Sequence, residues 1–285
     1  MRCRSTSLHR ATNKMTGMGM KKLITTRAAS LLIVLLSLTL ASCVTVTESR
    51  FTKKKSPEKA VENYTQLGLG YLQKGRPDWA RQRLQKALAI DPDHAPANDA
   101  MGLVWQTEGE MDLAEEYFQK ALSNDSSFTL ARHHLGRLYS QLKRYDEADE
   151  YLNKAATDRY YDNRASAYND LALNAYRQGN TEQAIDSYGQ TLRIAPYNVD
   201  GLVNISTLLF EAQRYDESLK YYDRFERLVQ REQTRQTAHS LWLGIKLATL
   251  QQNTQRAIAL ATDLKRNFPE SVEYRLYQDS LSGAK

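Results

Sequence analysis

Few side chains in the sequence have a spacing that could support catalysis or metal binding. His133 and His134 are neighbours, so on a helix they point about 100° apart and cannot share one metal ion. His94 and His239 have no ligand partner four residues away. Gly68-Leu69-Gly70 does not extend to a GxGxxG nucleotide-binding loop, and no GxSxG, HExxH or P-loop motif is present. We therefore predict that the protein is not an enzyme, holds no metal or bound cofactor and takes no small-molecule substrate.

Cys43 is the residue expected to carry covalent chemistry. It follows Leu40-Ala41-Ser42, a pattern that resembles the bacterial lipobox, in which small residues admit a signal peptidase and the Cys thiol is lipidated. The apolar run over residues 28–41 follows basic residues and is too short for a membrane-spanning helix, which needs about 20 apolar residues. The sequence therefore predicts a lipoprotein signal peptide over 1–42. It also predicts an S-diacylglycerol group and an N-acyl chain, such as palmitate, on Cys43.

The excess of basic residues belongs to this predicted signal. The chain has a net charge of +6, but residues 1–42 carry seven basic side chains and no acidic one. From position 43 onward, 32 basic residues face 33 acidic residues. A nucleic-acid partner, which a basic protein would favour, is therefore not expected.

The residue after Cys43 indicates where the lipoprotein is sorted. Val44 stands there instead of Asp, which in the bacterial sorting system favours export to the outer membrane. We expect the protein to be anchored to the inner leaflet of the outer membrane and to face the periplasm. A Met at position 18 or 20 lies just before Lys21, so residues 1–19 form, by hypothesis, an over-extended start.

A 34-residue period fills most of the remaining sequence. Gly68, Gly102 and Gly136 are spaced at this period, as are Ala80 and Ala114. The period and its Gly/Ala pattern are typical of the tetratricopeptide repeat, a pair of antiparallel helices. We predict an all-α superhelix of six units at 61–94, 95–128, 129–162, 165–198, 199–232 and 238–271. A flexible tether over 43–60 and a capping helix over 272–285 complete the chain, which leaves no residues for a catalytic domain.

The repeat register also predicts a binding wall. Positions 2, 5, 9, 12 and 13 of each unit share the stripe of the first helix that faces the concave side of such a superhelix. Many of these positions hold large apolar residues, which favours a groove for a protein partner. The alternative is that some of them pack within the array. The predicted concave groove comprises Leu69, Leu72, Asp99, Leu103, Gln106, His133, Arg137, Asn169, Leu173, Tyr176 and Phe210.

Several stretches go beyond the generic repeat. The segments Tyr64–Leu72, Tyr221–Phe225, Ser240–Ala248 and Leu264–Ser271 resemble the PilF/PilW family of type IV pilus biogenesis lipoproteins. That resemblance implies an outer-membrane pilotin, which helps the pilus secretin reach the outer membrane and assemble into its ring. It also supports Cys43 as the lipidation site. An alternative is a periplasmic adaptor lipoprotein of the same repeat class, which serves peptidoglycan hydrolases or outer-membrane β-barrel assembly.

Overall fold

The computed structural model describes residues 56–283, and this part of the chain folds as a stack of antiparallel helices without a β-strand. The predicted signal peptide (1–42), Cys43, Val44 and the first part of the predicted tether lie outside the described residues. The helices are α1 (Pro57–Gln73), α2 (Pro77–Ile90), α3 (Ala95–Glu108), α4 (Met111–Asn124), α5 (Thr129–Gln141), α6 (Tyr145–Thr157), α7 (Arg164–Arg177), α8 (Thr181–Ile194), α9 (Val199–Glu211), α10 (Tyr215–Gln230), α11 (Ala238–Leu250), α12 (Thr254–Asn267) and α13 (Val272–Ser282).

The helices pair as the tetratricopeptide register predicts. Each odd-numbered helix from α1 to α11 packs against the even-numbered helix that follows it, and α1, α3, α5 and α7 also contact one another in sequence. The all-α repeat prediction is therefore confirmed. The linkers over 158–163 and 231–237 are the longer connections between units, and they contain the insertions that the sequence places after the third and fifth units.

The first helix begins earlier than the repeat register alone suggests. The Ser56 hydroxyl oxygen accepts a hydrogen bond from the backbone N–H of Lys59 at 3.3 Å, and Pro57 occupies the first turn. A proline at this position loses no helical hydrogen bond, because the first N–H groups of a helix have no partner within it. Residues 57–60, which we expected in the flexible tether, are consequently helical.

Close approach within a unit depends on small residues. A Cβ atom on Gly102 would lie 2.6 Å from the Phe118 ring, so only glycine allows the two helices of the second unit to pack this closely. In the fifth unit, two serines occupy the positions where the paired helices approach closely. Ser206 donates to the Ser218 carbonyl oxygen at 2.9 Å, and Ser218 donates to the Ser206 carbonyl oxygen at 2.7 Å. Both hydroxyls are buried and satisfied there.

Position 15 of every unit adopts a left-handed backbone conformation at the turn between the paired helices. Glycine supplies it in three units, for example Gly109 with φ of 86°. In the other three units, a residue with a side chain adopts this left-handed conformation: Lys143 has φ of 62°, Gln213 of 60° and Gln252 of 58°. These three turns store backbone strain that the glycine turns do not.

The junction between the fifth and sixth units explains why Gly244 replaces the usual leucine at position 7. The Tyr222 side chain of α10 is fully buried against α11, and a Cβ atom on Gly244 would lie 2.0 Å from the Tyr222 hydroxyl oxygen. That hydroxyl has no hydrogen-bond partner in the described part of the chain. Burial raises the pKa of the Tyr222 phenol, so it stays protonated. An aromatic ring from the preceding unit therefore takes the space of the missing side chain.

Candidate partner-binding groove

The predicted concave groove lies on the odd-numbered helices α1, α3, α5, α7 and α9. The structure distributes its eleven residues over three degrees of burial. Arg137 and Tyr176 are exposed, Tyr176 with 45% of its surface accessible. Seven are half-buried: Leu69, Leu72, Leu103, Gln106, Asn169, Leu173 and Phe210. Asp99 and His133 are buried.

Part of the half-buried set holds the array together. Leu69 and Leu72 pack against the hydrophobic cluster of the first two units, Leu103 against that of the second and third, and Phe210 against that of the fourth to sixth. The Asn169 side-chain amide donates to Asn198 Oδ1 at 3.2 Å, and Asn198 in turn caps α9, the first helix of the fifth unit. These side chains therefore pack within the array, as the alternative interpretation proposed, although they remain partly accessible to solvent.

The structure corrects the expectation for Asp99 and His133. Their exposed fractions are 2% and 4%, so a partner in the groove does not reach them. His133 Nε2 lies 2.7 Å from Asp170 Oδ2, and its Nδ1 lies 2.8 Å from the Tyr161 hydroxyl. Asp99 Oδ1 lies 2.8 Å from His134 Nδ1. Buried polar groups require such partners, and these two side chains tie neighbouring units together.

The Asp170 carboxylate fixes the direction of one hydrogen bond in this network. Its oxygen can only accept, so the His133 Nε2–H donates to it. The Tyr161 hydroxyl is the partner of His133 Nδ1, and burial raises the pKa of that phenol to about 12. Arg137 Nε lies 3.5 Å from the Asp170 carboxylate, which it shares with His133. Asp170 thus positions an exposed guanidinium at the edge of the groove.

A cleft of about 200 Å³ opens between α3, α5 and α7 on the same face. The Arg177 guanidinium donates to the Ser140 hydroxyl at 3.0 Å, and the Gln106 amide donates to Gln141 Oε1 at 3.0 Å across two units. The lining residues are Gln106, Arg137, Ser140, Gln141, Asp170, Leu173 and Arg177.

Our list of groove residues omits four members of this lining. Ser140 and Gln141 occupy positions 12 and 13 of the third unit, and Arg177 occupies position 13 of the fourth, so the register places all three on the wall. Asp170 is at position 6 of the fourth unit, where the register gives no signal. It reaches the cleft because it pairs with His133 of the preceding unit, a contact that depends on the stacking of the units.

The far end of the predicted concave face is aromatic. Lys246 Nζ lies 4.3 Å from the centre of the Phe210 ring and 5.6 Å from that of Trp242. Burial between these rings lowers the pKa of Lys246. The cation–π contacts partly offset the lost hydration of the ammonium group. Phe210 is therefore covered by Lys246 and is less available to a partner than its position in the register suggests.

The chemistry of the cleft suits a peptide. Its guanidinium, amide and hydroxyl groups can donate hydrogen bonds to backbone carbonyl oxygens and carboxylates, while Leu173 and the nearby Tyr176 offer apolar surface. Over residues 56–283, no three His, Cys, Asp or Glu side chains are grouped to hold a metal ion. Within the same range, every helix is too short or too polar to cross a bilayer.

Comparison with known families agrees with the geometry. Models of the tetratricopeptide repeat match residues 58–94, 95–128, 126–196 and 169–233. A solved structure of PilW, described as a widely conserved type IV pilus biogenesis factor, superposes with a TM-score of 0.67. It covers 76% of this chain and 98% of its own at 24% identity, which supports the fold.

A more similar relative extends the match over nearly the whole chain. The type IV pilus assembly protein PilF of Pseudomonas aeruginosa is 35% identical over 256 residues, which are 90% of this chain and 99% of that protein. The structure of Pseudomonas aeruginosa PilF superposes with a TM-score of 0.73 at 34% identity. It covers 79% of this chain and 100% of its own. The chain therefore belongs to the PilF/PilW family of tetratricopeptide-repeat proteins of type IV pilus biogenesis.

Proposed function

We propose that the protein is a pilotin, an outer-membrane lipoprotein that binds the type IV pilus secretin and promotes its localisation and multimerisation. The observation that carries this proposal is the concave cleft between α3, α5 and α7, in a chain whose relative assembles type IV pili. In this role the protein is a scaffold without catalytic activity, bound metal or small-molecule substrate.

The anchor in this proposal is the lipid on Cys43. One acyl chain gives only marginal membrane binding, whereas the three chains expected on a processed lipobox cysteine hold a protein permanently. Mass spectrometry of the purified protein should show a chain that begins at a triacylated Cys43. Val44→Asp should retain the protein in the inner membrane and impair pilus assembly. Unchanged fractionation of that variant would contradict outer-membrane sorting.

The partner segment in this proposal is a peptide of the secretin rather than a folded domain. The cleft is small, and most of its polar groups donate hydrogen bonds, while the Asp170 carboxylate is already paired with His133 and Arg137. An extended or helical segment with acidic and apolar side chains therefore fits best. Arg177 would bind its carboxylates, and Tyr176 would contact its apolar side chains. Tyr176 is suited to this role because it is exposed, and tyrosine is one of the residue types that dominate binding energy at protein interfaces.

A matched pair of variants tests the groove. Tyr176→Asp with Arg177→Glu should reduce heat-stable secretin multimers and twitching motility without changing the circular dichroism spectrum. The control is Tyr197→Asp with Arg193→Glu, which makes the same charge change at exposed positions outside the groove. Crosslinking in membranes, with a photoreactive residue at Tyr176, should capture the secretin. Equal multimer levels in the two variants would contradict the groove assignment.

The same strains test the alternative function. Deletion of the gene should abolish secretin multimers and twitching if the protein is a pilotin. Altered cell-wall turnover with normal pili would instead support an adaptor for peptidoglycan hydrolases. Defective outer-membrane β-barrels in general would support the assembly role.

A further inference from the structure

The first unit has an outer side that no described part of the chain covers. On α2, Arg81, Leu84 and Leu88 face the second unit: Arg81 donates to Glu108 at 2.7 Å, and the two leucines belong to the shared core. Steps of about 100° per residue place another set of α2 side chains on the opposite side. This opposite side of α1 and α2, called the end face, contains Leu67, Lys74, Trp79, Arg83, Lys86 and Ile90.

The end face carries large apolar side chains in contact with water. Leu67 is 50% exposed, Trp79 49% and Ile90 43%. The Tyr71 ring lies 5.5 Å from the Trp79 ring and extends the apolar surface onto α1. A half-exposed tryptophan among other apolar residues usually marks a surface that binds something.

The charges on the end face all have one sign. Lys74, Arg83 and Lys86 surround the apolar residues, and Arg76 lies over the Trp79 ring at 5.8 Å. The same helical steps place the acidic residues of α1 and α2 on other sides of the hairpin. Those residues are Glu58, Glu62 and Asp78.

The charge of the whole chain divides at the same place. Residues 56–90 contain six basic and three acidic side chains, whereas residues 91–285 contain 22 basic and 29 acidic ones. Lys53-Lys54-Lys55 adds three further positive charges directly before the first unit. A second copy of the end face would bring like charges together, which disfavours self-association through it. The complementary partner is therefore anionic.

We infer that the end face lies on the surface of the membrane that anchors the protein. Trp and Tyr rings prefer the bilayer interface, and Lys and Arg pair with anionic lipid head groups while their stems lie along the apolar layer. The 13 residues from Cys43 to Ser56 reach at most about 45 Å when extended. That length suffices for α1, about 25 Å long, to lie along the bilayer near its anchor. The inference rests on the lipid anchor of the proposed function.

The position of Trp79 provides a direct test. The full lipidated chain is reconstituted into vesicles of phosphatidylethanolamine and phosphatidylglycerol, with or without phospholipids brominated near the head group. Flotation first shows whether the protein is anchored. Trp79 is one of three tryptophans, and the others lie in the second and sixth units. We expect the brominated lipids to quench wild-type emission, and Trp79→Phe to lose at least about two thirds of that quenching, since interfacial tryptophans lie within reach of the bromine atoms.

A charge variant and a matched control complete the experiment. Lys74→Glu with Arg83→Glu and Lys86→Glu should reduce the quenching of Trp79 several-fold. The control substitutes Glu at Lys220, Arg227 and Arg231, which are exposed on the fifth unit and the linker after it, and should leave quenching unchanged. Circular dichroism verifies that both variants are folded.

The outcomes separate the two proposals. If the protein floats with the vesicles but Trp79 is not quenched, the membrane contact is wrong and the lipid anchor stands. The same conclusion follows if Trp79 is not quenched and crosslinking shows a second copy or another protein on the end face. Failure of the chain to float would overturn both the anchor and the membrane contact.

Discussion

Substitution of Gly244 by alanine should destabilise the junction between the fifth and sixth units, although alanine is the better helix former. The new Cβ atom would lie 2.0 Å from the Tyr222 hydroxyl oxygen, 2.5 Å from its ring carbon Cζ and 2.9 Å from Leu260 Cδ1. Tyr222 is fully buried, and its ring cannot swing aside as the end of a flexible chain would. Either the ring or the α11 backbone must therefore move.

The magnitude follows from two opposing effects. Alanine in place of glycine within a helix contributes about 1 kcal/mol of stability. Overpacking of a well-filled core costs about 1–3 kcal/mol, and the short distances at Gly244 place this case at the upper end. The net loss should be about 2 kcal/mol. For a chain of this size, that corresponds to a fall in Tm of roughly 4–8 °C.

Gly70→Ala is the matched control, because Gly70 is also within a helix and a Cβ atom there would meet nothing within 4 Å. It should raise stability by about 1 kcal/mol, the propensity term alone. Urea and thermal unfolding by circular dichroism measure both variants. Tyr222→Leu should restore part of the stability of Gly244→Ala, with a coupling of about 1 kcal/mol or more between the two sites. Equal stabilities of Gly244→Ala and Gly70→Ala would refute the proposed clash.

Three further predictions concern strain, the buried network and pH. Lys143→Gly or Gln213→Gly should each raise the free energy of unfolding by up to about 1 kcal/mol in urea, because glycine adopts the left-handed turn without strain. Asp170→Asn should cost about 1–3 kcal/mol in the same assay, because the buried His133 loses its carboxylate acceptor; unchanged unfolding would contradict the network. Burial lowers the folded-state pKa of Lys246, so the buried ammonium group destabilises the folded protein fully at pH values below that pKa. This destabilisation decreases as pH rises toward 10.5. The stability gain of Lys246→Met should therefore shrink as pH rises toward 10.5 in thermal unfolding.

Repetition made much of the fold predictable. The period of Gly68, Gly102 and Gly136 specifies which residues of each helix pair meet, because small residues must recur wherever the paired helices approach closely. Ser56 and Pro57 mark the start of the array through local capping alone, which needs no distant partner. The register also places the concave stripe on the odd-numbered helices, since side-chain direction along a helix follows from spacing.

The repeat pattern does not predict the contacts that differ from one unit to the next. His133 pairs with Asp170, 37 residues away, and His134 with Asp99, 35 residues away, so two polar residues expected on the wall are buried between units. Gly244 likewise departs from the consensus without a local reason.

The amino-acid sequence by itself determined the repeat and the stripe that faces the groove, because both depend on spacing along the chain. Only the tertiary structure decided which stripe residues remain open, why Gly244 must be small and that the end face of the first unit is apolar and basic. The physical reason is that burial and pairing across a junction depend on the rotation of one unit against the next, which spacing along the chain does not specify.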